Sequence, residues 1–323
     1  MPSKNTRKFM PSSDISLVSE NMKMFHYWMY ERQNIWYKRF ALKENQPWTE
    51  DKILREYKFT NVYRDLDRNT QWLINNVINK EKNNFEVFWK IVVFRYFNLP
   101  ELFEYIGSIP DYSKYKELIF NKKIIEYKEK FGRVFTKAYM IHPPRSKEDR
   151  KLGLELFYCK NIKQFHNKAK NMWNRYLNMK NPEDFHLMMK ELMSIADFMA
   201  YEIYCDLCYT DWFKWNENDF VNVGPGAKFG LEILFPSLLN IKTYNSYLKK
   251  LIFLKDKADV FFRLYNFMDF KYYNKNNLKK YKIGKHLTLR SIEHSLCEYS
   301  KYYKMRLNVG KPRQKFEPKT LIK

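Results

Sequence analysis

Glycine is scarce in this chain, since only 8 of its 323 residues are glycine. Three of them nevertheless fall within one short segment, VGPGAKFGL (223–231). Glycine is needed where the backbone adopts a positive φ or approaches another group closely. Backbone amides that are exposed in such a turn, at the start of a helix, form a site for an anion. The segment therefore predicts a phosphate-binding turn built from Gly224, Gly226, Ala227 and Lys228.

Long apolar runs are missing as well. No stretch of the sequence approaches the roughly 18 apolar residues of a membrane-spanning helix. The first residues, MPSKNTRKFMPSSD, carry charge but are not followed by the apolar segment of a secretory signal. We therefore expect a protein without membrane contact that is not secreted. It would lie in the cytoplasm (of the host cell if it is viral) or in a eukaryotic nucleus.

Cysteine is also infrequent, with four residues in the chain. Without a secretory signal, we expect them to be reduced thiols. Cys205 and Cys208 have the spacing of a metal-binding pair, which His294 and Cys297 could complete. However, the sequence around the pair reads as one continuous helix, whereas zinc-binding pairs of this kind usually lie on tight turns. The sequence therefore predicts neither a metal site nor a cofactor.

Acidic residues are far outnumbered by basic ones. The chain has 59 Lys and Arg but only 36 Asp and Glu, which gives a net charge of +23. Like charges repel in a compact protein, so this excess suggests a polyanionic partner such as DNA, RNA or an anionic membrane. The 45% hydrophobic and 18% aromatic content indicates a globular chain with a substantial core. We expect a monomer that binds double-stranded DNA.

The secondary structure predicted throughout is helical. Alternating apolar and polar residues are rare, whereas helical spacing is typical of residues 19–40, 63–78 and 84–97. We predict an all-α protein with a flexible arm (1–20), a helical domain (21–307) and a basic tail (308–323). The loop at 141–150 is a candidate junction between two helical lobes.

Five stretches carry a resemblance to a known family: FTNVYRDLDRNTQWL (59–73), FRYFN (94–98), FMAYEIYCDLCYT (198–210), VGPGAKFGL (223–231) and LRSIEHSLCEYSKY (289–302). In this order and spacing they resemble the α-glutamyl/putrescinyl-thymine pyrophosphorylases, and the helical domain that accompanies 5-hydroxymethyluracil DNA kinases looks related. The resemblance implies a helix-hairpin-helix DNA-glycosylase-like fold, with two lobes around a DNA and base cleft. It also implies action on modified, 5-substituted pyrimidines in phage or large-virus DNA. No GxxxxGK[ST] motif is present, so phosphorylation is not expected of this chain, and a kinase of the hypermodification pathway is a candidate partner.

The resemblance leaves two registers open for the DNA-binding hairpin. In the first, residues 192–203 form it, with Ser194 and Ala196 in place of the usual glycines. In the second, residues 222–231 form it, and Lys228 takes the position of a Schiff-base lysine. We favour the first register because the helix that follows it is longer. Lys228 is then a phosphate or substrate contact.

Base excision requires a carboxylate beside the sugar. The catalytic candidates are Glu293 as first choice, Asp206, Glu298 and, in the second register, Lys228. Helical spacing within residues 289–302 places Arg290 and Lys301 on the Glu293 face, where both could contact DNA phosphates. A surface helix with salt bridges would show the same spacing.

A second polar set predicts a base pocket. Asn61, Arg64, Asp67 and Gln71 would share one stripe of a helix, where they could read the Watson–Crick edge of an extruded base. Arg95 and Asn98 would add to this pocket.

Three functions remain open at this point. We slightly favour an enzyme that flips a modified pyrimidine and cleaves its N-glycosidic bond. The first alternative is an enzyme of DNA hypermodification that transfers an amine or amino acid onto activated 5-hydroxymethyluracil. The second alternative is a module that binds modified DNA without catalysis.

Overall fold

The computed structural model describes residues 15–137, 141–236, 242–267, 287–309 and 315–316. Within these ranges the chain is all-α, as predicted, and its only β-type pairing is an isolated antiparallel bridge between Tyr57 and Lys315. The helices are α1 (Ile15–Trp36), α2 (Lys52–Glu56), α3 (Arg68–Leu73), α4 (Asn84–Phe97), α5 (Pro100–Tyr105), α6 (Glu117–Phe131), α7 (Lys147–Lys151), α8 (Leu154–Asn178), α9 (Pro182–Met189), α10 (Asp197–Leu207), α11 (Pro225–Leu234), α12 (Tyr244–Leu264) and α13 (Leu289–Arg306).

The helices form two compact units, one from residues 1–67 and 223–323 and the other from residues 68–222. The first unit combines the two ends of the chain, and the second is one continuous segment. Residues 141–150, predicted as a loop, therefore lie inside the second unit, where α7 begins at Lys147, and the division falls elsewhere. Of the expected arm and tail, residues 1–14, 310–314 and 317–323 lie outside the described residues.

In the first unit, α13 packs against α1, α2, α11 and α12. Its apolar face includes Ile292, Leu296 and Tyr299, all with 0% of their surface exposed. The closest neighbour of α13 is α11, and the glycines explain why. A Cβ atom on Gly226 would lie 2.5 Å from the Sγ atom of Cys297, and one on Gly230 would lie 2.7 Å from the Leu296 carbonyl oxygen. The clustered glycines therefore permit close helix packing.

In the second unit, α4 is the central helix. Its sequence is apolar on nearly all sides, and ten of its residues are buried against neighbours that include α8 and α10. The predicted helix 84–97 is confirmed residue for residue. The helix ends at Asn98, which adopts a left-handed conformation (φ 48°). The backbone N–H of Asn98 donates to the Phe94 carbonyl. Asn is one of the few residues that tolerate this geometry at a helix end.

Two predicted helices are interrupted. Residues 63–78 form a 3₁₀ turn (Arg64–Leu66), an extended residue at Asp67, α3 and a π-helical segment (Ile74–Ile78). The prediction of one continuous helix there was wrong, because Asp67 takes ψ 141°. The helix predicted through residues 198–213 ends at Leu207 as α10.

Candidate functional site

The anion at the glycine turn is supplied by the protein itself. Gly224 precedes the first turn of α11, and its amide donates to Glu293 Oε1 at 3.0 Å. A carboxylate at this position also interacts favourably with the positive end of the helix dipole. Gly226 packs on Cys297, and Ala227 is buried. The predicted phosphate turn is therefore occupied by Glu293 and by packing against α13.

The basic candidates around this turn differ in exposure. Lys228 is exposed, with its ammonium 5.7 Å from the centre of the Tyr247 ring. Lys301 is also exposed and forms an ion pair with Glu298. Arg290, by contrast, retains only 2% of its surface, so it does not present its guanidinium to a phosphate at the surface. Lys228 and Lys301 thus remain the predicted phosphate contacts.

Three polar side chains of α13, His294, Glu298 and Lys301, form a row beside the segment before the 3₁₀ turn. Glu298, with 2% of its surface exposed, accepts from the Thr60 amide at 3.3 Å. One turn earlier on α13, Nε2 of His294 hydrogen-bonds to the Thr60 hydroxyl. Partial desolvation would disfavour the ammonium of the exposed Lys301, but the Glu298 carboxylate outweighs this effect, so the pKa of Lys301 is raised. The row brings together an imidazole, a carboxylate and an ammonium within one unit.

Cys297 lies next to this row, but its thiol is protonated and therefore not a nucleophile. Burial, together with the charges of Glu298 and Glu293, raises the pKa of its thiol to about 12. A reactive cysteine requires the thiolate form near neutral pH. The thiol therefore serves as a packing partner of Gly226.

The first part of the predicted base pocket is a compact polar cluster. Asn61 Oδ1 accepts from Arg32 Nη2 at 2.6 Å, and the backbone N–H of Asn61 donates to Asp67 Oδ1 at 3.1 Å. Asp67 also pairs with Arg64. These residues do meet, although through a loop rather than one helix stripe. Sequence analysis missed Arg32, because nothing in the pattern of α1 distinguishes this arginine from a solvated one.

The remaining pocket candidates belong to the other unit. Gln71 is buried on α3, and Asn98 ends α4, with its carbonyl accepting from Asn69 Nδ2 at 2.8 Å. The left-handed backbone conformation of Asn98 is thus explained by its position at the end of α4.

Asp206 and Arg95 form the most buried ion pair of that unit. Arg95 Nε and Nη2 donate to the two Asp206 oxygens at 2.5 and 2.6 Å, and Arg95 Nη1 lies 2.9 Å from Glu202 Oε2. Asp206 has 0% of its surface exposed. A buried acid needs such a partner, because an isolated carboxylate in an apolar helix is costly. The geometry favours a structural role for Asp206 over the predicted catalytic one.

The two hairpin registers differ in local structure. In the first, a short turn joins α9 to α10, and Ser194 adopts φ 64° where glycine would be usual. Asn161 Nδ2 donates to the Ser194 hydroxyl oxygen at 3.0 Å and fixes the turn. In the second register, residues 208–224 separate α10 from α11, which is too long for a hairpin turn. The local geometry favours the first register, and its binding to phosphate remains a proposal.

Two further features concern the described ranges only. They contain no group of three or more His, Cys, Asp or Glu side chains arranged to hold a metal ion. Nor does any helix in those ranges have the length and apolar character required to cross a membrane.

Comparison with known proteins identifies the family. Residues 19–311 match the profile of the 5-hmdU DNA kinase, helical domain. A 5-hmdU DNA kinase of Bacillus phage SP10 is 28% identical over 297 residues, which cover 85% of this chain and 44% of the kinase. The chain therefore spans less than half the length of that relative. No solved structure matches significantly. The predicted relation to the helical domain of 5-hydroxymethyluracil DNA kinases is confirmed, and the chain belongs to the family of 5-hmdU DNA kinase helical domains.

Proposed function

We propose that the chain binds DNA containing 5-hydroxymethyluracil and carries out a transfer reaction at the 5-hydroxymethyl group. The observation that carries this proposal is the family match over residues 19–311, since the related phage protein is a kinase of 5-hmdU DNA. A net charge of +23 supports the DNA part, because Lys and Arg supply most of the sequence-independent affinity for a duplex.

The polar row of α13 supplies the groups that such a transfer needs. In the reaction proposed, the C–O bond of an activated 5-hydroxymethyl group breaks and pyrophosphate leaves. A C–N bond to an amine forms, and the amine loses one proton. His294, oriented by the Thr60 hydroxyl, is the candidate base for that proton. Lys301 is the candidate cation for the leaving phosphate.

Base excision is the competing chemistry, and the surroundings of the candidate carboxylates distinguish it from transfer. It requires an acidic side chain that faces the sugar. Glu293 accepts from the Gly224 amide, Glu298 pairs with Lys301, and Asp206 is held by Arg95. These three carboxylates retain only 8%, 2% and 0% of their surface, whereas Lys301 is exposed and His294 is half-buried, which favours transfer over excision.

The test is incubation of the protein with duplexes that differ at one position. That position carries thymine, 5-hydroxymethyluracil or its pyrophosphorylated form, with and without added amines, and nucleosides and free bases are then analysed by mass spectrometry. Transfer predicts an amine-substituted nucleoside, together with released pyrophosphate, from the activated base only. A released base with an alkali-labile site would establish excision instead, and unchanged DNA in every reaction would refute both enzymatic functions.

A matched pair of histidine variants tests the assigned base. His294→Gln should lower the transfer rate by about 100-fold, within the usual contribution of general-base catalysis, without weakening DNA binding. His142→Gln changes an exposed histidine of the other unit and should leave the rate unchanged. Equal rates in the two variants would remove His294 from the mechanism.

A further inference from the structure

The first unit contains a cavity outside the α13 row. Its volume is about 340 Å³, and it lies between the end of α1, the loop that follows, α2 and Phe316. Pockets for small molecules usually start at about 300 Å³. α1 widens into a π-helical turn at Tyr37–Ala41, which carries Arg39 and Phe40 at the cavity wall. Such π-helical turns are frequent at functional sites.

Two partly buried arginines line this cavity. Arg32 donates through Nε to the Phe59 carbonyl and through Nη2 to Asn61, while its buried Nη1 has no hydrogen-bond partner within the described part of the chain. Burial lowers the pKa of Arg32 to about 10; the charges of Asp67 and Glu298 oppose this shift, and the like charge of Arg39 adds to it. Burial also lowers the pKa of Arg39. An anion bound at Arg32 and Arg39 would supply a counter-charge to both guanidinium groups.

Aromatic rings form the rest of the wall. The Arg39 guanidinium lies 4.8 Å from the centre of the Phe40 ring, 5.2 Å from Trp48 and 5.5 Å from Phe316. Phe316 is far away in sequence but is held there, because its amide donates to the Glu56 carbonyl at 2.8 Å. Such rings and guanidinium planes are the surfaces on which nucleobases stack.

The charge of the lining selects the class of ligand. None of the described residues that line the cavity is an aspartate or glutamate, whereas three are arginines. An amine or another cation would therefore find no counterion among the described lining residues. We propose that the cavity binds a nucleoside phosphate, with its base against the aromatic wall and its phosphate at Arg32 and Arg39. This inference does not depend on the transfer reaction proposed for the α13 row.

Calorimetric titration of the full chain tests the proposal. The probes are thymidine 5′-monophosphate, thymidine and a short single-stranded oligothymidylate. We expect saturable binding of the monophosphate and much weaker binding of thymidine. Competition between oligothymidylate and the monophosphate would identify a nucleotide within a strand as the source. Binding of the monophosphate alone would identify a free nucleotide. Failure of both phosphate-bearing probes to bind would overturn the proposal.

Three variants locate the binding. Arg39→Gln should lower the affinity for the monophosphate by at least tenfold and leave the affinity for thymidine nearly unchanged. Trp48→Leu should weaken both ligands by about tenfold through lost stacking. Arg263→Gln removes the same charge from an exposed site on α12 and should have little effect. Equal losses in Arg39→Gln and Arg263→Gln would indicate binding to surface charge and contradict the proposal. Since Trp48 is partly exposed, Trp48→Leu keeps the test valid if Arg39→Gln does not fold.

Discussion

At the scale of single residues, the small side chains of α11 have a different role from the one their sequence suggests. Three glycines in seven residues predict a turn that binds an external phosphate. In the structure, the Gly224 amide binds the Glu293 carboxylate, and the other two glycines allow α13 to approach. Sequence could predict that a close approach occurs, but not which partner approaches, because that partner lies 69 residues further along the chain.

Gly230→Ala tests this packing role. The new methyl group would lie 2.7 Å from the Leu296 carbonyl oxygen, a backbone atom that cannot rotate away. We expect the free energy of unfolding to fall by about 1–3 kcal/mol, as for other overpacked positions. The measurement is denaturant unfolding. Gly224→Ala is the control, since its methyl group would only reach 3.4 Å from Glu293 Oε1. Equal stability of the two variants would contradict the packing role.

Asp206 provides a second prediction at this scale. Asp206→Asn removes the bidentate partner of the buried Arg95. Because Glu202 still compensates the Arg95 charge, we expect a cost of about 1–3 kcal/mol, that of an imperfectly satisfied buried group. We expect a lower melting temperature and a loss of activity in proportion to unfolding. Asp184→Asn on the exposed surface of α9 should change stability by less than about 0.5 kcal/mol. A fully stable Asp206→Asn protein without activity would restore the catalytic role.

At the scale of helices, the contact between α1 and α12 includes a buried titratable group. His26 is fully buried, and its ring lies 4.8 Å from that of Phe261 and 5.1 Å from that of Phe262. Its Nδ1 hydrogen-bonds to the Met22 carbonyl. Burial lowers the pKa of His26 to about 4, although the bond to Met22 acts in the opposite direction. The imidazole is therefore neutral in the folded protein well below pH 6.5.

The stability of this helix pair should decrease in mild acid. Above pH 6.5 His26 is neutral in both states, and its full contribution is present. Between pH 6.5 and about 4 the unfolded chain binds a proton that the folded chain does not, so stability falls with pH, by up to about 3 kcal/mol. Thermal unfolding of the wild type and of His26→Phe over this range checks the effect. His26→Phe should show a smaller pH slope, and His142→Gln the wild-type slope. An identical dependence of stability on pH in wild type and His26→Phe would contradict the assignment of the effect to His26.

Helix prediction succeeded where the apolar pattern is strong and continuous. The buried helix α4 was predicted residue for residue, and α1 was predicted within a few residues. The prediction for residues 63–78 failed because the break depends on Asp67, which accepts from the backbone N–H of Asn61, six residues earlier, and pairs with Arg64. Helical spacing cannot reveal such a contact. The polar row of α13 was anticipated, but its link to Thr60 was not, since 234 residues separate Thr60 from His294.

At the scale of the whole molecule, the excess of positive charge should dominate affinity for DNA. Each phosphate contact releases counterions, so binding weakens as salt increases. Lys228→Ala removes an exposed cation and should reduce the slope of log affinity against log salt by about 1, equally for all DNA sequences. Lys122→Ala, on the exposed side of α6 in the other unit, is the control. An unchanged slope in Lys228→Ala would exclude Lys228 as a phosphate contact.

The proposed function depends on recognition of 5-hydroxymethyluracil in DNA, the base whose activated form the transfer would use. A labelled duplex with one 5-hydroxymethyluracil, bound to the protein, can be displaced by unlabelled duplexes with the same base or with thymine, at one salt concentration. A hydrogen bond to the hydroxyl group predicts that the modified duplex competes about tenfold better. Equal competition by both duplexes would show that the protein binds DNA without reading the modified base, and would contradict the claim.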